Sequence, residues 1–141
     1  MLMHPSAFVG MVSVSSIMQK HIVGVSVGTN VRLAIALMKR THTSVMPVLD
    51  NGILVGLLAI DQLEKRHLAD EPVGVVMEPP EFVEESSSVE SAASILVKTG
   101  HSRLPVVDNR HDLRVVGTIT STGIVHALEN GPNPISRRRG A

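Results

Sequence analysis

The sequence predicts an α+β fold built from two copies of one β-α-β-β-α repeat. Three features support this fold: an internal repeat, apolar stripes at helical spacing, and short apolar runs separated by turn residues. A repeat of about 60 residues can bury only a thin core by itself. We therefore expect the two copies to pack sheet to sheet and to fold as one body.

The internal repeat aligns residues 18–51 with residues 77–109. Five pairs share an offset of 58 residues: Val31 with Val89, Ala34 with Ala92, Met38 with Leu96, Pro47 with Pro105, and Asp50 with Asp108. Gly56 matches Gly117 at an offset of 61, because the second copy has a turn that is three residues longer. A constant offset over about thirty positions indicates a tandem duplication.

An amphipathic helix follows a short first strand in each copy. In the first copy, apolar residues recur at i, i+3, i+4 and i+7, namely Val31, Ala34, Ile35 and Met38. The second copy repeats the stripe with Val89, Ala92, Ala93, Leu96 and Val97. Ser87 and Glu90 have the spacing of a capping box, and Gly100 suits the left-handed residue that ends a helix.

Two strands and a final helix complete each copy. The strands are predicted at 45–49 and 53–59 in the first copy, and at 104–107 and 115–120 in the second. The final helix starts near Asp61 in the first copy and near Thr122 in the second. These limits predict a first repeat at 12–70, a second at 71–129, an N-terminal segment at 1–11 and a flexible basic tail at 130–141.

The composition excludes several classes of function. Apolar residues make up 43% of the 141 residues, and 13 basic residues balance 13 acidic ones. This neutral charge argues against nucleic acid or an anionic membrane as the main partner. The absence of cysteine excludes disulfides, thiolate nucleophiles and Cys-based zinc sites. The longest apolar run, 52–60, is too short to span a bilayer, and we recognise no signal peptide, so we expect a cytoplasmic protein.

No motif of an enzyme or of a metal site is present in the sequence. It contains no Gly-x-Ser-x-Gly motif, Walker loop or Rossmann fingerprint, and its seven histidines lack the close spacing of metal ligands. We therefore expect a non-catalytic protein with no metal and no resident cofactor. The C-terminal run of Arg137, Arg138 and Arg139 is typical of a solvated terminus.

The strands MPVLD (46–50) and LPVVD (104–108) are each followed by Val-Gly, a short apolar strand and an amphipathic helix. In this pattern the chain resembles a tandem CBS-domain pair, or Bateman module, over about residues 12–129. The resemblance implies a pseudo-twofold module with two clefts between the repeats, commonly assembled as a homodimer. It also implies that the module senses an adenosyl ligand, such as AMP, ADP, ATP or S-adenosylmethionine, and regulates a separate partner protein.

The ligand signature of the family runs Gly-x-x-(Ser/Thr)-x-(Ser/Thr)-Asp, from the second strand into the second helix. Hydroxyls and free N–H groups of the first helical turn bind phosphate, and the Asp accepts hydrogen bonds from the ribose. The second copy reads Gly117-Thr118-Ile119-Thr120-Ser121-Thr122-Gly123. The resemblance therefore assigns Thr120, Ser121 and Thr122 to the phosphate, whereas Gly123 replaces the ribose acid.

Further residues of the second copy are implied for the same cleft. Arg103 would bind phosphate as a bidentate partner, with His101 beside it. The adenine would lie against Phe82, Val83, Leu104 and Pro105, although core packing explains these residues equally well. Arg103 is also open to the alternative interpretation of an exposed residue at the edge of a strand.

The first copy contains a degenerate half-site. It has Ala59 where the signature has a hydroxyl, and Gln62 where the signature has the ribose acid. Asp61 occupies the position of a helix N-cap, and Glu64 completes the spacing of a capping box. We therefore expect this half-site to be silent. Because both ribose acids are absent, a ligand-free structural or dimerisation module remains the alternative function.

Overall fold

The computed structural model describes residues 12–66 and 68–130, so the predicted N-terminal segment and the basic tail beyond residue 130 lie outside the described residues. The elements are, in chain order, α1 Val14–Ile17, β1 Val25–Ser26, α2 Val31–Arg40, β2 Val45–Asp50, β3 Ile53–Ala59, α3 Ile60–Arg66, α4 Val73–Val76, β4 Val83–Glu84, α5 Val89–Thr99, β5 Arg103–Val107, β6 Val115–Thr120 and α6 Ser121–Asn130. They include two three-stranded sheets, which confirms the predicted α+β class.

The duplication extends to the register of the strands. The two sheets have the strand orders β1-β2-β3 and β4-β5-β6. In the first sheet Val25 pairs with Val48 in parallel, and in the second Val83 pairs with Val106 in the same way. Both residues of the second pair lie 58 positions after their counterparts, which is the offset found in the sequence.

A proline occupies the central strand of each sheet, where a missing N–H would normally remove a ladder hydrogen bond. In the first sheet β1 pairs with Val48 and Leu49, so Pro47 precedes the start of this ladder. On its other side Pro47 faces Leu57, whose N–H and carbonyl both bond to Glu78. The missing proline N–H therefore costs the sheet no hydrogen bond at this position.

Only the C-terminal end of helix α5 agrees with the prediction. Gly100 ends the helix in the left-handed conformation, with φ 75°. The N-cap is Ser88, whose hydroxyl accepts the Ser91 N–H, so the predicted capping box of Ser87 and Glu90 is wrong by one residue. The Ser87 carbonyl instead accepts the N–H of Val14 at 2.8 Å, which fixes Ser87 just outside the helix.

The chain forms two compact units, and each unit takes one segment from elsewhere in the sequence. The first-repeat unit contains residues 23–81 and 112–115, and the second-repeat unit contains the described residues of 12–22, 82–111 and 116–130. Helix α1 thus packs against α6 of the second-repeat unit, and α4 packs against β3 of the first-repeat unit. The predicted repeats, 12–70 and 71–129, are defined by the duplication in the sequence, whereas the compact units are defined by packing. The repeat limits therefore stay a prediction.

Residues 12–22 of the predicted first repeat and residues 71–81 of the predicted second repeat each lie in the unit of the other repeat, and we call them the exchanged segments. They pair with the last strand of the unit that receives them in the same way in both units. Gln19 and Thr118 exchange two N–H···O bonds of 2.8 Å, and Leu57 and Glu78 exchange two of 2.9 Å. A glycine precedes each of these strand residues, Gly117 in one unit and Gly56 in the other. The paired backbones therefore meet next to a position that has no side chain.

Space explains the glycine at these two positions. A Cβ built at Gly117 would lie 2.5 Å from the carbonyl oxygen of Gln19, which is fixed backbone. A Cβ at Gly56 would lie 2.6 Å from Met77 Sδ, which can move, and 2.9 Å from Met77 Cβ, which the backbone holds in place. The Val-Gly pairs noted in the sequence are thus required by the close passage of the exchanged segments.

We predict that Gly117→Ala lowers the free energy of unfolding by about 1–3 kcal/mol, because the backbone of residue 19 must move. Gly56→Ala should cost less, since a rotamer change of Met77 removes the contacts with Sδ and Cγ and leaves only the milder one with Met77 Cβ, 2.9 Å away. Gly28→Ala is the control, because a Cβ there meets nothing within 4 Å. Chemical denaturation of the three variants measures their free energies of unfolding. Equal losses of this free energy for Gly117→Ala and Gly28→Ala would contradict the steric explanation.

Candidate functional site

The candidate site lies where β6 meets α6 in the second-repeat unit. Thr120 ends the strand and Ser121 begins the helix, with no loop between them. The Oγ1 atom of Thr120 accepts the N–H of Gly123 at 3.0 Å, and it also accepts the Thr122 hydroxyl at 3.4 Å. Thr120 therefore caps the helix through its oxygen, and its own hydroxyl hydrogen stays available as a donor.

The other polar groups at this corner differ in whether they already have a hydrogen-bond partner. Ser121 donates both its N–H and its hydroxyl to the Ser102 carbonyl, at 2.9 and 3.0 Å. Since Gly123 bonds to Thr120, two N–H groups of the first helical turn already have partners. Thr122 is exposed, and its only bond within the described residues is the long one to Thr120. The Thr120 hydroxyl is thus open to donate to an anion, and the Thr122 hydroxyl can do so by giving up its long bond of 3.4 Å to Thr120.

Arg103 lies opposite Thr120 on the neighbouring strand. In the first-repeat unit an Ile60-to-Ser44 hydrogen bond of 3.0 Å accompanies the pairing of Val45 with Ala59. The Ser121-to-Ser102 bond is its equivalent, so Arg103 pairs with Thr120. Side chains of an antiparallel pair share one face of the sheet, with their Cβ atoms about 5 Å apart.

The guanidinium of Arg103 makes no hydrogen bond and no ion pair within the described residues. Its side chain is half-buried, and the strand alternation places it on the face away from the core residues Leu104 and Ile119. A cation with no partner in the described part of the chain, next to the Thr120 hydroxyl and the weakly bonded Thr122 hydroxyl, forms a site of suitable chemistry for a phosphate.

His101 belongs to a different surface. It lines a groove between α5 and α6 together with Ser121, whereas Arg103, Thr120 and Thr122 do not line this groove. Its Nδ1 atom is buried and finds no hydrogen-bond partner within the described residues. The structure thus separates the residues predicted for the phosphate into two groups, of which the group with Arg103 contains the open donors.

The residues predicted for the base are mostly in the core. Val83 and Leu104 are buried among the core residues of the second-repeat unit, and Pro105 is also buried. Phe82 is half-buried at the start of this segment. Core packing accounts for Val83 and Leu104, so a base would have to contact Phe82 or strand backbone.

The corresponding corner of the first-repeat unit has no hydroxyl. Ala59 is half-buried, and Asp61 and Gln62 are exposed. Helix α3 begins at Ile60, so Asp61 lies inside the first turn, where its charge favours the helix dipole, and is not the N-cap. Glu64 forms an ion pair of 3.0 Å with Lys39, so the predicted capping box is absent.

Sequence reasoning missed an ion pair that holds the long turn after β5. Glu84 accepts the backbone N–H of Arg110 at 2.9 Å, and its other oxygen accepts the Arg110 side chain at 3.1 Å. These two hydrogen bonds, backbone first, hold the pKa of Glu84 below its ordinary value. The only signal in the sequence was the acidic stretch that contains Glu84, and its partner lies 26 residues away.

The family profile of the CBS domain matches two segments of the chain, residues 14–66 and 70–130. These two segments cover most of the sequence. The chain belongs to the CBS-domain family.

Several curated proteins are similar to the chain in sequence. An uncharacterized protein of Methanocaldococcus jannaschii is 29% identical over 118 residues, which cover 82% of the chain and 44% of that protein. The chloroplastic CBS domain-containing protein CBSX1 of Arabidopsis thaliana is 48% identical over 56 residues, or 39% of the chain and 23% of its own length. The chain thus spans less than half the length of these curated relatives.

Solved structures resemble the chain over most of its length. The crystal structure of CBSX2 in complex with AMP is 29% identical, with a TM-score of 0.67, and covers 82% of this chain and 95% of its own. The CBS domain of a bacterial CNNM/CorC family Mg2+ transporter in complex with ATP has a TM-score of 0.72 at 20% identity, covering 91% and 94%. The second likeness shows the fold alone.

The described residues contain neither a membrane-spanning helix nor a cluster of metal-binding side chains. Within residues 12–66 and 68–130, no helix has the length and apolar character needed to cross a membrane. In the same residues no three His, Asp or Glu side chains converge as a metal site would require.

We predict that Thr120→Val lowers the free energy of unfolding by about 1 kcal/mol, because the Gly123 N–H loses its cap. Thr122→Val is the matched control, since its hydroxyl is exposed and caps nothing. Thermal unfolding in the absence of ligand measures both variants. Equal melting temperatures for the two variants would show that Thr120 is not the N-cap.

The Glu84 ion pair predicts a dependence of stability on pH. Because the folded pKa is lowered, the contribution of Glu84 is present above the ordinary glutamate pKa of about 4.3 and is lost as the pH falls through the folded value. Glu84→Gln should therefore lower the melting temperature at pH 7, and the difference from the unmodified chain should shrink below about pH 4.3. Glu85→Gln, which breaks no ion pair within the described chain, controls for the charge.

Proposed function

We propose that the protein is a non-catalytic regulatory module that binds a phosphorylated adenosyl compound at the β6–α6 corner and acts on a separate partner protein. The observation that carries the proposal is the Arg103 guanidinium opposite Thr120, which has no partner among residues 12–66 and 68–130. A cation without a partner, beside hydroxyls with hydrogens to donate, is matched by an anion with several acceptor oxygens. This chemistry favours AMP, ADP or ATP over an uncharged nucleoside.

The similarity to CBSX2 supports the choice of ligand. CBSX2, 29% identical to this chain, is described in complex with AMP. The chain itself keeps the phosphate side of the family signature in its second repeat and lacks the ribose acid in both. We therefore propose that the phosphate supplies most of the binding energy and that the ribose diol supplies little.

The form of regulation follows from the position of the ligand. A ligand at Thr120 touches the first turn of α6, and it shifts the protein only by binding one arrangement of this helix more tightly than another. Cytoplasmic location and a homodimeric state are part of the same proposal, with α6 as the element that transmits binding to a partner.

Ligand binding is tested by thermal shift and calorimetry with AMP, ADP, ATP, S-adenosylmethionine and NAD. A ligand at 100 times its Kd should add about 2.7 kcal/mol to the free energy of unfolding. Arg103→Gln should weaken a phosphorylated ligand at least about tenfold, since a hydrogen bond to a charged group is worth about 1.5–3 kcal/mol. Lys65→Gln, which removes an exposed cation of the first-repeat unit, should change nothing.

The missing ribose acid gives a second and sharper experiment. AMP and 2′-deoxy-AMP should bind with similar affinity, because Gly123 offers no acceptor to the 2′-hydroxyl. Gly123→Asp should create a preference for AMP, by up to about tenfold for one charge-assisted hydrogen bond. A Cβ at this position lies 3.1 Å from Thr120 Oγ1, so Gly123→Ala is the steric control.

The alternative function is a ligand-free structural module, favoured by the loss of both ribose acids. It predicts that none of the five compounds stabilises the protein and that Arg103→Gln is neutral. This pair of results would overturn the sensing function and leave the fold assignment unchanged.

A further inference from the structure

A shallow groove, which we call the α5–α6 groove, runs between two helices of the second-repeat unit. It has a volume of about 210 Å³, and most of its lining is apolar, namely Ala93, Leu96, Val97, Ile124 and Val125. Val97 is 84% exposed and Val125 is 51% exposed, so the rim of the groove is open to water in the described chain. Apolar side chains exposed side by side mark a surface that other atoms cover.

The duplication shows that the fold does not require an apolar rim at this place. Three residues of the groove have larger or charged counterparts in the first repeat, at the offsets of 58 and 61: Ile35 for Ala93, Lys39 for Val97 and Glu64 for Val125. Lys39 Nζ and Glu64 Oε2 lie 3.0 Å apart. The same positions therefore hold a bulky residue and a solvated ion pair in one repeat, and an alanine and two exposed valines in the other.

The described chain begins at Val12, beside the N-terminus of α5. The Val12 carbonyl accepts the Val89 N–H at 2.8 Å, and Ser13 forms an antiparallel bridge with Ser88. Because this pairing is antiparallel, the chain followed backwards from Ser13 runs in the direction of α5, from Val89 toward Ala93. Helix α1, which comes next in the sequence, packs against α6. At Val12 the chain therefore points along α5 toward the groove.

The first-repeat unit shows how the residues before this point pack. Glu71 corresponds to Val12 at an offset of 59, and its carbonyl accepts the Val31 N–H at 2.8 Å. Three residues upstream, Leu68 packs against the core of the first-repeat unit, and a further backbone bond of 3.0 Å holds this stretch beside the first turn of α2. The same offset relates Leu68 to Val9, which is also apolar.

This correspondence ends before Val9. In the first-repeat unit the chain ahead of Leu68 forms α3, Ile60–Arg66, which packs against α2. In the second-repeat unit the equivalent position beside α5 is filled by α6, which comes from the other end of the sequence. Residues 1–8 therefore cannot take the place that α3 has, and the apolar surface left open beside α5 is the groove.

The N-terminal segment, residues 1–11, has the composition of an apolar occupant. It contains three methionines together with Leu2, Ala7, Phe8 and Val9, and it has no Lys, Arg, Asp or Glu. Phe8 is the one aromatic residue of the segment. An enclosed aromatic side chain buries about 150–250 Å² of surface, so Phe8 is the residue of the segment that gains most from an apolar groove.

The reach of the chain matches the position of the groove. Phe8 lies four residues before Val12, and an extended chain of this length spans up to about 13 Å. Measured along α5 from Val89, Ala93 is about 6 Å and Val97 about 12 Å away. Phe8 therefore reaches the groove without any movement of the described residues.

We propose that residues 1–11 cover the α5–α6 groove of their own chain and that Phe8 fills the depression above Ala93. Since the occupant is tethered at Val12, its effective concentration at the groove is high, of the order of millimolar for a short flexible linker. A segment that contacts both walls of the groove holds α6 against α5. The contact needs no bound nucleotide and is independent of the ligand proposed above.

Because the chain has no cysteine, engineered cysteine pairs report this contact directly. In the full chain, Ala7→Cys/Val97→Cys should close an intramolecular disulfide at least about tenfold faster than Ala7→Cys/Lys98→Cys, since a docked segment raises the effective concentration only at the groove. Lys98 is the matched control, because it is exposed and lies about 100° further round α5 than Val97. Mass spectrometry without reductant, at low protein concentration, measures both rates.

Two outcomes of the cysteine experiment would overturn the proposal. Equal rates for the two pairs would show that the segment does not prefer the groove. Disulfides between molecules, formed by Ala7→Cys/Val97→Cys or by Val97→Cys alone, would place a second copy of the chain on the groove in its stead.

Protease digestion supplies a readout that needs no cysteine. The double variant Val97→Lys/Val125→Glu copies the ion pair of the first repeat into the groove, so it should fold normally and release the segment. Chymotrypsin should then cleave after Phe8 at least about tenfold faster than in the unmodified chain, because cleavage follows the population of the open form. Leu33→Glu, at a residue 63% exposed on α2, should leave the cleavage slow. The same rate in the unmodified chain and in the double variant would contradict docking.

Discussion

The close passage of the exchanged segments, which brings the Gln19 backbone next to Gly117 and the Met77 side chain next to Gly56, is the constraint on which both units depend. The hydrogen bonds made next to these glycines hold an exchanged segment against the last strand of each unit. These segments also complete the cores, because Val14 and Val73 are fully buried in the units that receive them. Neither half of the sequence therefore contains all the apolar residues that its own sheet buries.

Structural features that depend on sequence periodicity were predictable, whereas features that depend on tertiary contacts were not. The helical stripes, the strands, the offset of 58 and the Gly100 terminus are local or repeated, and the structure has them, except that Val97 of the second stripe is 84% exposed and does not face the core. The exchange was not predictable, because an apolar stripe shows that a face is buried and not which segment buries it. Ser87 and Ser88 are chemically equal caps, and the bond from Val14 to Ser87 selects the second.

At the candidate site, the sequence likewise predicted which residues are present but not which hydrogen bonds they form. The sequence identified a surplus of hydroxyls at residues 120–122, but it could not say which were already used. Ser121 is committed to Ser102, whereas Thr120 caps α6 with its oxygen and keeps its hydrogen. A hydroxyl can do both because it has one donor and two acceptor positions. Helix capping and phosphate binding are therefore compatible at Thr120, and a structural function there does not argue against a ligand.

Helix α6 carries the candidate site and exposed apolar side chains on one element. It begins at the corner with Thr120 and Thr122, and Val125 and Leu128 follow within the next two turns, 51% and 37% exposed. At about 1.5 Å per residue, the hydroxyls and these side chains lie within about 15 Å along the helix. An anion at the N-terminus of α6 would interact favourably with the helix dipole and stabilise the first turn. Any resulting change in the angle or order of α6 would move these exposed side chains, whereas the first turn of α3 has no hydroxyl with which to bind an anion.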